Sequence, residues 1–190
     1  KPVLNSIPEE ISDINVTMGL PMKSSSLYVM MSDLAAVQLH AVLKKGKWHF
    51  YHKQVWDILS SGIVKTLLAS EGMEECRQKI ARIRQEGRYY IPQEDLSGFP
   101  LLDVIFRPVA IDPHAADAAQ TDGLAVYLQE ITAYLAPLLS HRSDMAVELE
   151  FARKWYSSIN SLRAKKLAVQ PIPFVRLLNS LVAGLCVPFK

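Results

Sequence analysis

The densest group of chemically useful side chains lies between Lys44 and Lys53, KKGKWHFYHK, where four lysines and two histidines interleave with Trp48, Phe50 and Tyr51. Cations at that density neutralise phosphates, and a loop that leads into a helix N-terminus offers backbone amides to the same groups. The pattern is equally that of a solvated connection between helices whose aromatics point into a core. A second set, Arg153, Lys154, Arg163, Lys165, Lys166 and Arg176, is either a backbone-contacting face or the ordinary polar side of helices.

His49 and His52 lie three apart, which on a helix puts both rings on one side. A zinc site needs three or four ligands, and no HExxH, CxxC or facial-triad spacing accompanies the pair, so no metal is expected. Serines at 24–26, 60–61 and 157–158 lack the GxSxG turn that exposes a nucleophile. Nothing resembling GxGxxG or GxxxxGK[ST] offers a phosphate cradle. The acid pairs Glu148 with Glu150 and Glu94 with Asp95 are neighbours of a kind found on any helix or loop. The sequence therefore predicts no catalytic site and no cofactor. Cys76 and Cys186, 110 positions apart, spell out neither a disulfide framework nor a cysteine-based metal site and read as ordinary buried or half-buried thiols in a reducing cytoplasm.

Charge divides by segment. Residues 1–43 carry −2, residues 44–88 carry +5, residues 89–150 carry −8, and residues 151–190 carry +7 without a single Asp or Glu, within a net charge of +2. That division fits a protein with one cationic face. It fits equally an acidic middle that folds back and neutralises the basic parts.

A chain of 190 residues, 49% hydrophobic and 21% charged, suits one domain with its own core. The apolar stretch Phe174 to Phe189 is interrupted by Arg176, Asn179 and Ser180 and is shorter than the roughly 20 residues needed to span a bilayer. No membrane association is expected, and the start of the chain shows no signal-peptide pattern.

The elements that would position the basic stretch follow from periodicity. Residues 1–13 read as an irregular arm, and Ile14, Val16 and Met18 alternate as a short strand. Ser24 to Met31 reads as a second strand, with Leu27, Val29 and Met31 on one face and Ser26, Tyr28 and Met30 on the other. Ser32 and Asp33 then cap a helix that Lys44 to Lys47 stops. A second helix is predicted over His49 to Ala69, bent or divided at Gly62, and a third over Met73 to Glu86. Leu101 to Ile111 reads as an extended segment, limited by Pro108 to a strand edge or end, and residues 112–121 as a loop, or as a short helix opened by Pro113. Helices follow from 122 or 123 to Leu139, from Asp144 to about Lys166, and from Phe174 to Leu185. The fold class is α+β, mainly helical, with about six helices and short strands. The divisions are an arm and strand over 1–23, a strand-helix-helix segment over 24–69 and a helical extension over 70–190.

A strand, a capped helix, a short basic turn and a second helix is the order of ribbon-helix-helix DNA-binding proteins, and residues 24–69 resemble it. The segment SLYVMMSDLAAVQLH is also similar to AcaB-type transcriptional regulators of conjugative plasmids and integrative elements. The resemblance implies a cytoplasmic homodimer that binds double-stranded DNA in sequence-specific fashion. Its groove-facing strand positions would be Ser24, Ser26, Tyr28 and Met30, with phosphate met by Lys44, Lys45, Gly46, Lys47 and Lys53. Tyr28 and Met30 depart from the Arg, Asn or Gln that read base edges well. The alternative expectation is a non-catalytic assembly module of a larger bacterial complex, docking through the apolar segment Phe174 to Phe189.

Overall fold

The computed structural model describes residues 19–111, 118–166 and 169–188. Its elements, in chain order, are β1 (Gly19–Pro21), α1 (Ser26–Leu39), β2 (Val42–Lys44), β3 (Lys47–Tyr51), α2 (His52–Leu59), α3 (Gly62–Leu68), α4 (Glu74–Gln85), β4 (Tyr90–Pro92), α5 (Pro100–Ile105), α6 (Ala118–Ser140), α7 (Ala146–Ala164), α8 (Pro171–Ala183) and β5 (Cys186–Pro188). The class is mainly helical α+β. The expected arm and the strand at 14–18 lie outside the described residues.

Helix α1 is the central element, packed against α2, α3, α6, α7 and α8. It overturns the strand expected over 24–31 and, with it, the ribbon-helix-helix order in 24–69. The alternation of Leu27, Val29 and Met31 is only the first part of a longer pattern. Leu27, Met30, Met31, Leu34, Ala35, Val37 and Gln38 are buried, which is the helical period, and Val29 is 52% exposed. The start is fixed by two caps. The Ser25 hydroxyl oxygen accepts from Tyr28 N at 3.1 Å, and the Glu148 carboxylate from α7 accepts from Ser26 N and Leu27 N at 3.1 and 3.0 Å. Amides that a helix N-terminus leaves without intrahelical partners are thereby satisfied. The expected cap at Ser32 and Asp33 is helix interior, where the Ser32 hydroxyl donates back to Tyr28 O at 2.9 Å.

The chain leaves α1 through a hairpin rather than a helix-to-helix turn. β2 and β3 pair antiparallel with Val42 opposite His49, Leu43 opposite Trp48 and Lys44 opposite Lys47. Lys45 and Gly46 form the two-residue connection, with φ of 51° and 76°, the left-handed values a type I′ hairpin turn demands at both positions. The predicted 49–69 helix thus begins as strand, and its remainder is divided into α2 and α3, where the Ser61 hydroxyl caps Val64 N. β4 adds to β3, with Phe50 opposite Ile91 and Tyr51 opposite Tyr90, giving the sheet order β2-β3-β4. Phe50 and Ile91 enter the core, both fully buried. β1 and β5 form a separate antiparallel pair in which Gly19 is obligatory, since a Cβ there would lie 2.9 Å from the Cys186 Cβ.

The predicted strand at 101–111 is also overturned. Pro100 opens α5 at the first turn, where its missing N–H costs nothing, and Leu101, Leu102 and Ile105 are buried at helical spacing. The tail of the segment, residues 107–111, has no regular secondary structure. The buried Gln38 side chain holds it, donating from Nε2 to Arg107 O and accepting from Val109 N at Oε1, both at 2.9 Å. α6 and α7 form the most extensive helix pair, and α6 keeps Pro137 inside it. Among the described residues, no helix is long and apolar enough to cross a membrane.

Candidate nucleic-acid interface

The hairpin gathers the expected phosphate-contacting residues. Lys44, Lys45, Gly46 and Lys47 occupy its tip and are all exposed, and Lys53 is exposed in the first turn of α2. Because β4 pairs only with His49, Phe50 and Tyr51, the segment Leu43 to Trp48 runs beyond β4 as a two-stranded ribbon. Two contacts hold the tip: the Lys44 ammonium lies 3.7 Å from the Tyr90 ring centroid, and the Lys47 ammonium donates to both Glu94 carboxylate oxygens at 2.8 Å.

The expected base-facing row does not exist. Ser24 sits in a short helical turn before α1, and Ser26 is at the first position of α1, its amide engaged by Glu148. Tyr28 is half-buried with its ring edge-on to Trp155 at 6.0 Å, and Met30 is fully buried in the core. Helix geometry turns Tyr28 away from Ser26 and Met30, and Met30 is buried, so they present no row to a groove. His49 and His52 do not share a helix face either, since one is in β3 and the other opens α2. The His49 ring contacts Lys47 O, and the His52 ring contacts Tyr89 O. Among the described residues, no three His, Cys, Asp or Glu side chains are placed to hold a metal ion.

What replaces the row is an aromatic strip on the outer face of the sheet. Strand pairing puts Tyr51, Tyr90, His49, Lys44 and Lys47 on that face, opposite to Phe50 and Ile91. Tyr90 lies 5.9 Å from Tyr51, Tyr51 4.7 Å from His52, and His52 5.2 Å from Tyr89, measured between ring centroids. Sequence reasoning missed Tyr89 and Tyr90. The signal available was Gly87 ending α4, followed by the short alternation Tyr90, Ile91, Pro92.

Beside the strip is an open groove of about 540 Å3, lined by Tyr51, Tyr90, Val42, Leu39, His40 and Gln54. The Gln54 side-chain amide lies 2.9 Å from His40 Nδ1, and the same ring nitrogen lies 2.8 Å from Ala36 O. A carbonyl oxygen only accepts, so the contact with Ala36 O requires a proton on Nδ1. The other terminal atom of the Gln54 amide is buried and, among the described residues, has no hydrogen-bond partner.

The second basic set is partly neutralised. Asp122 of α6 chelates Arg163 of α7 through Nε at 2.6 Å and Nη2 at 3.1 Å, and that hydrogen-bonded guanidinium holds the Asp122 carboxyl below the ordinary aspartate range. Arg153 pairs with Glu150. In α4, Arg77 pairs with Glu74 and Lys79 donates to Ser97 O. The acidic middle therefore engages part of the C-terminal charge, while Lys45 and Lys53 at the hairpin and α2 stand in no ion pair among the described residues. Of the two thiols, Cys76 is buried and pushed up in pKa by that burial, whereas Cys186 is exposed.

No family model, no curated protein and no solved structure matches this chain.

Proposed function

We propose that this chain is a DNA-binding protein of regulatory type that grips phosphate with the tip of the β2–β3 hairpin. The observation that carries the reading is the two-stranded ribbon beyond β4, with Lys44, Lys45 and Lys47 exposed at its tip. A two-stranded β-ribbon is one of the two elements the major groove admits, and lysines around it would supply the salt-dependent part of the affinity. The Lys47–Glu94 pair does not stand in the way. Its side chains are 60% and 57% exposed, and an ion pair so open to water contributes little and can be exchanged for a phosphate. Homodimerisation would set two such tips on successive turns of a duplex. The regulatory role and the dimer come from the AcaB-type resemblance, now carried by a segment that is helix throughout.

The test is fluorescence anisotropy with duplex DNA across a salt series, with Lys45→Glu and Lys47→Glu combined. The wild-type affinity should fall linearly in log-log form, and loss of two phosphate contacts should flatten the slope by about 2. Absence of binding at low salt defeats the reading. It would move the assignment to a partner-docking module, which one feature favours: Leu177 and Leu181, one turn apart on α8, are each 41% exposed.

A further inference from the structure

The aromatic strip has no part in gripping phosphate, yet it is costly to leave open. Tyr89 is 72% and Tyr90 38% exposed, and aromatic rings are the side chains whose burial contributes most to a core. The rings do not stack on one another. The planes meet at 56° for Tyr51 and Tyr90, 59° for Tyr51 and His52 and 81° for His52 and Tyr89, so these pairs touch by tilt and edge; one face of Tyr90 carries the Lys44 ammonium, which a base stacking there would displace toward its own phosphate. Lys44 lies over Tyr90 at one end of the strip, and Lys53 is exposed in the first turn of α2, next in sequence to His52, so positive charge borders the rings at the Tyr90 end.

We infer that this face takes single-stranded nucleic acid, with unpaired bases stacking on Tyr89, Tyr90 and Tyr51 and the backbone running past Lys44, Lys45 and Lys53. The inference rests on the proposed phosphate-gripping role of the hairpin and names a strand class that role does not require. Bases inside a duplex already stack on each other, whereas a splayed strand presents its π-faces to aromatic side chains. The groove beside Tyr51 and Tyr90 adds a place for a base edge. At about 540 Å3 it falls in the range of small-molecule sites, and Gln54 and His40 supply polar groups in its lining. A proline-rich peptide also docks on aromatic grooves but brings no anions for the three lysines.

The experiment compares a fluorescein-labelled single-stranded DNA, an abasic strand of the same length and charge, and a duplex, each titrated at low salt by anisotropy. The proteins are wild type, Tyr89→Ala with Tyr90→Ala, and Tyr89→Phe with Tyr90→Phe, each checked for native far-UV circular dichroism. The base-bearing strand should bind about tenfold or more tighter than the abasic one, with the margin lost in the alanine pair and kept in the phenylalanine pair, which still stacks. Equal affinity for the two single strands overturns the inference. If duplex binding in that case still depends on Lys45 and Lys47, the hairpin reading survives alone. Failure of all three probes removes both, and a proline-rich peptide bound through Tyr89 and Tyr90 without any base dependence would give the strip to that ligand instead.

Discussion

Replacing Gln38 with Met tests the link that organises the segment after α5. The side chain is 1% exposed, and its two hydrogen bonds, each 2.9 Å, satisfy Arg107 O and Val109 N. Methionine keeps the length and flexibility of the side chain and can make neither bond. Each backbone group left unpaired costs about 1 to 3 kcal/mol. Both bonds are only partly buried, so water recovers some of that, and the more apolar side chain returns about 1 kcal/mol. A net loss of about 2 kcal/mol remains, which for a domain of this size lowers Tm by about 4 to 8 °C. Thermal and urea unfolding followed by circular dichroism give the size of the effect, and amide hydrogen exchange gives its location: Val109 N–H should lose protection first. An unchanged Tm, or a destabilised protein whose Val109 amide exchanges as slowly as before, would refute the clamp.

Glu148→Ala removes the carboxylate that accepts from Ser26 N and Leu27 N and should cost about 1 to 2 kcal/mol in urea unfolding, with Glu148→Gln closer to wild type. Asp33 has its carboxyl raised above the usual aspartate range, first by burial and then by the charge of Asp57. The folded state therefore holds this proton more tightly than the unfolded chain, and stability falls as pH rises through the raised folded pKa. Asp33→Asn should accordingly be more stable than wild type at neutral pH, and the gain should vanish below the unfolded aspartate pKa; a gain independent of pH would count against it.

Long helices with a continuous apolar stripe were legible in the sequence. α6, α7 and α8 fall close to their expected places because each buries residues at helical spacing over three or more turns, and α4 does so with Cys76 and Ile83 buried two turns apart. The failures came from short windows. Ser24 to Met31 alternates like a strand, and only the continuation through Leu34, Ala35 and Gln38, with a cap supplied by Glu148 from 122 residues away, makes it helix. Leu101 to Ile111 failed for the same reason, since Pro100 and a distant Gln38 decide it. The hairpin was hidden because Lys45 adopts a positive φ without the Asn-Gly or Asp-Gly signature. For the site, residue content was readable in KKGKWHFYHK, but its juxtaposition with Tyr89 and Tyr90 depends on the pairing of β3 with β4 and is invisible to local pattern.

The central claim, that the hairpin contacts nucleic acid, is tested most directly by titrating isotope-labelled protein with DNA and following backbone amide shifts. On this claim the largest changes should fall in Val42 to Lys53 and Tyr89 to Ile91, reduced by added salt. Changes concentrated instead on α8 around Leu177 and Leu181, or none at all, would contradict it.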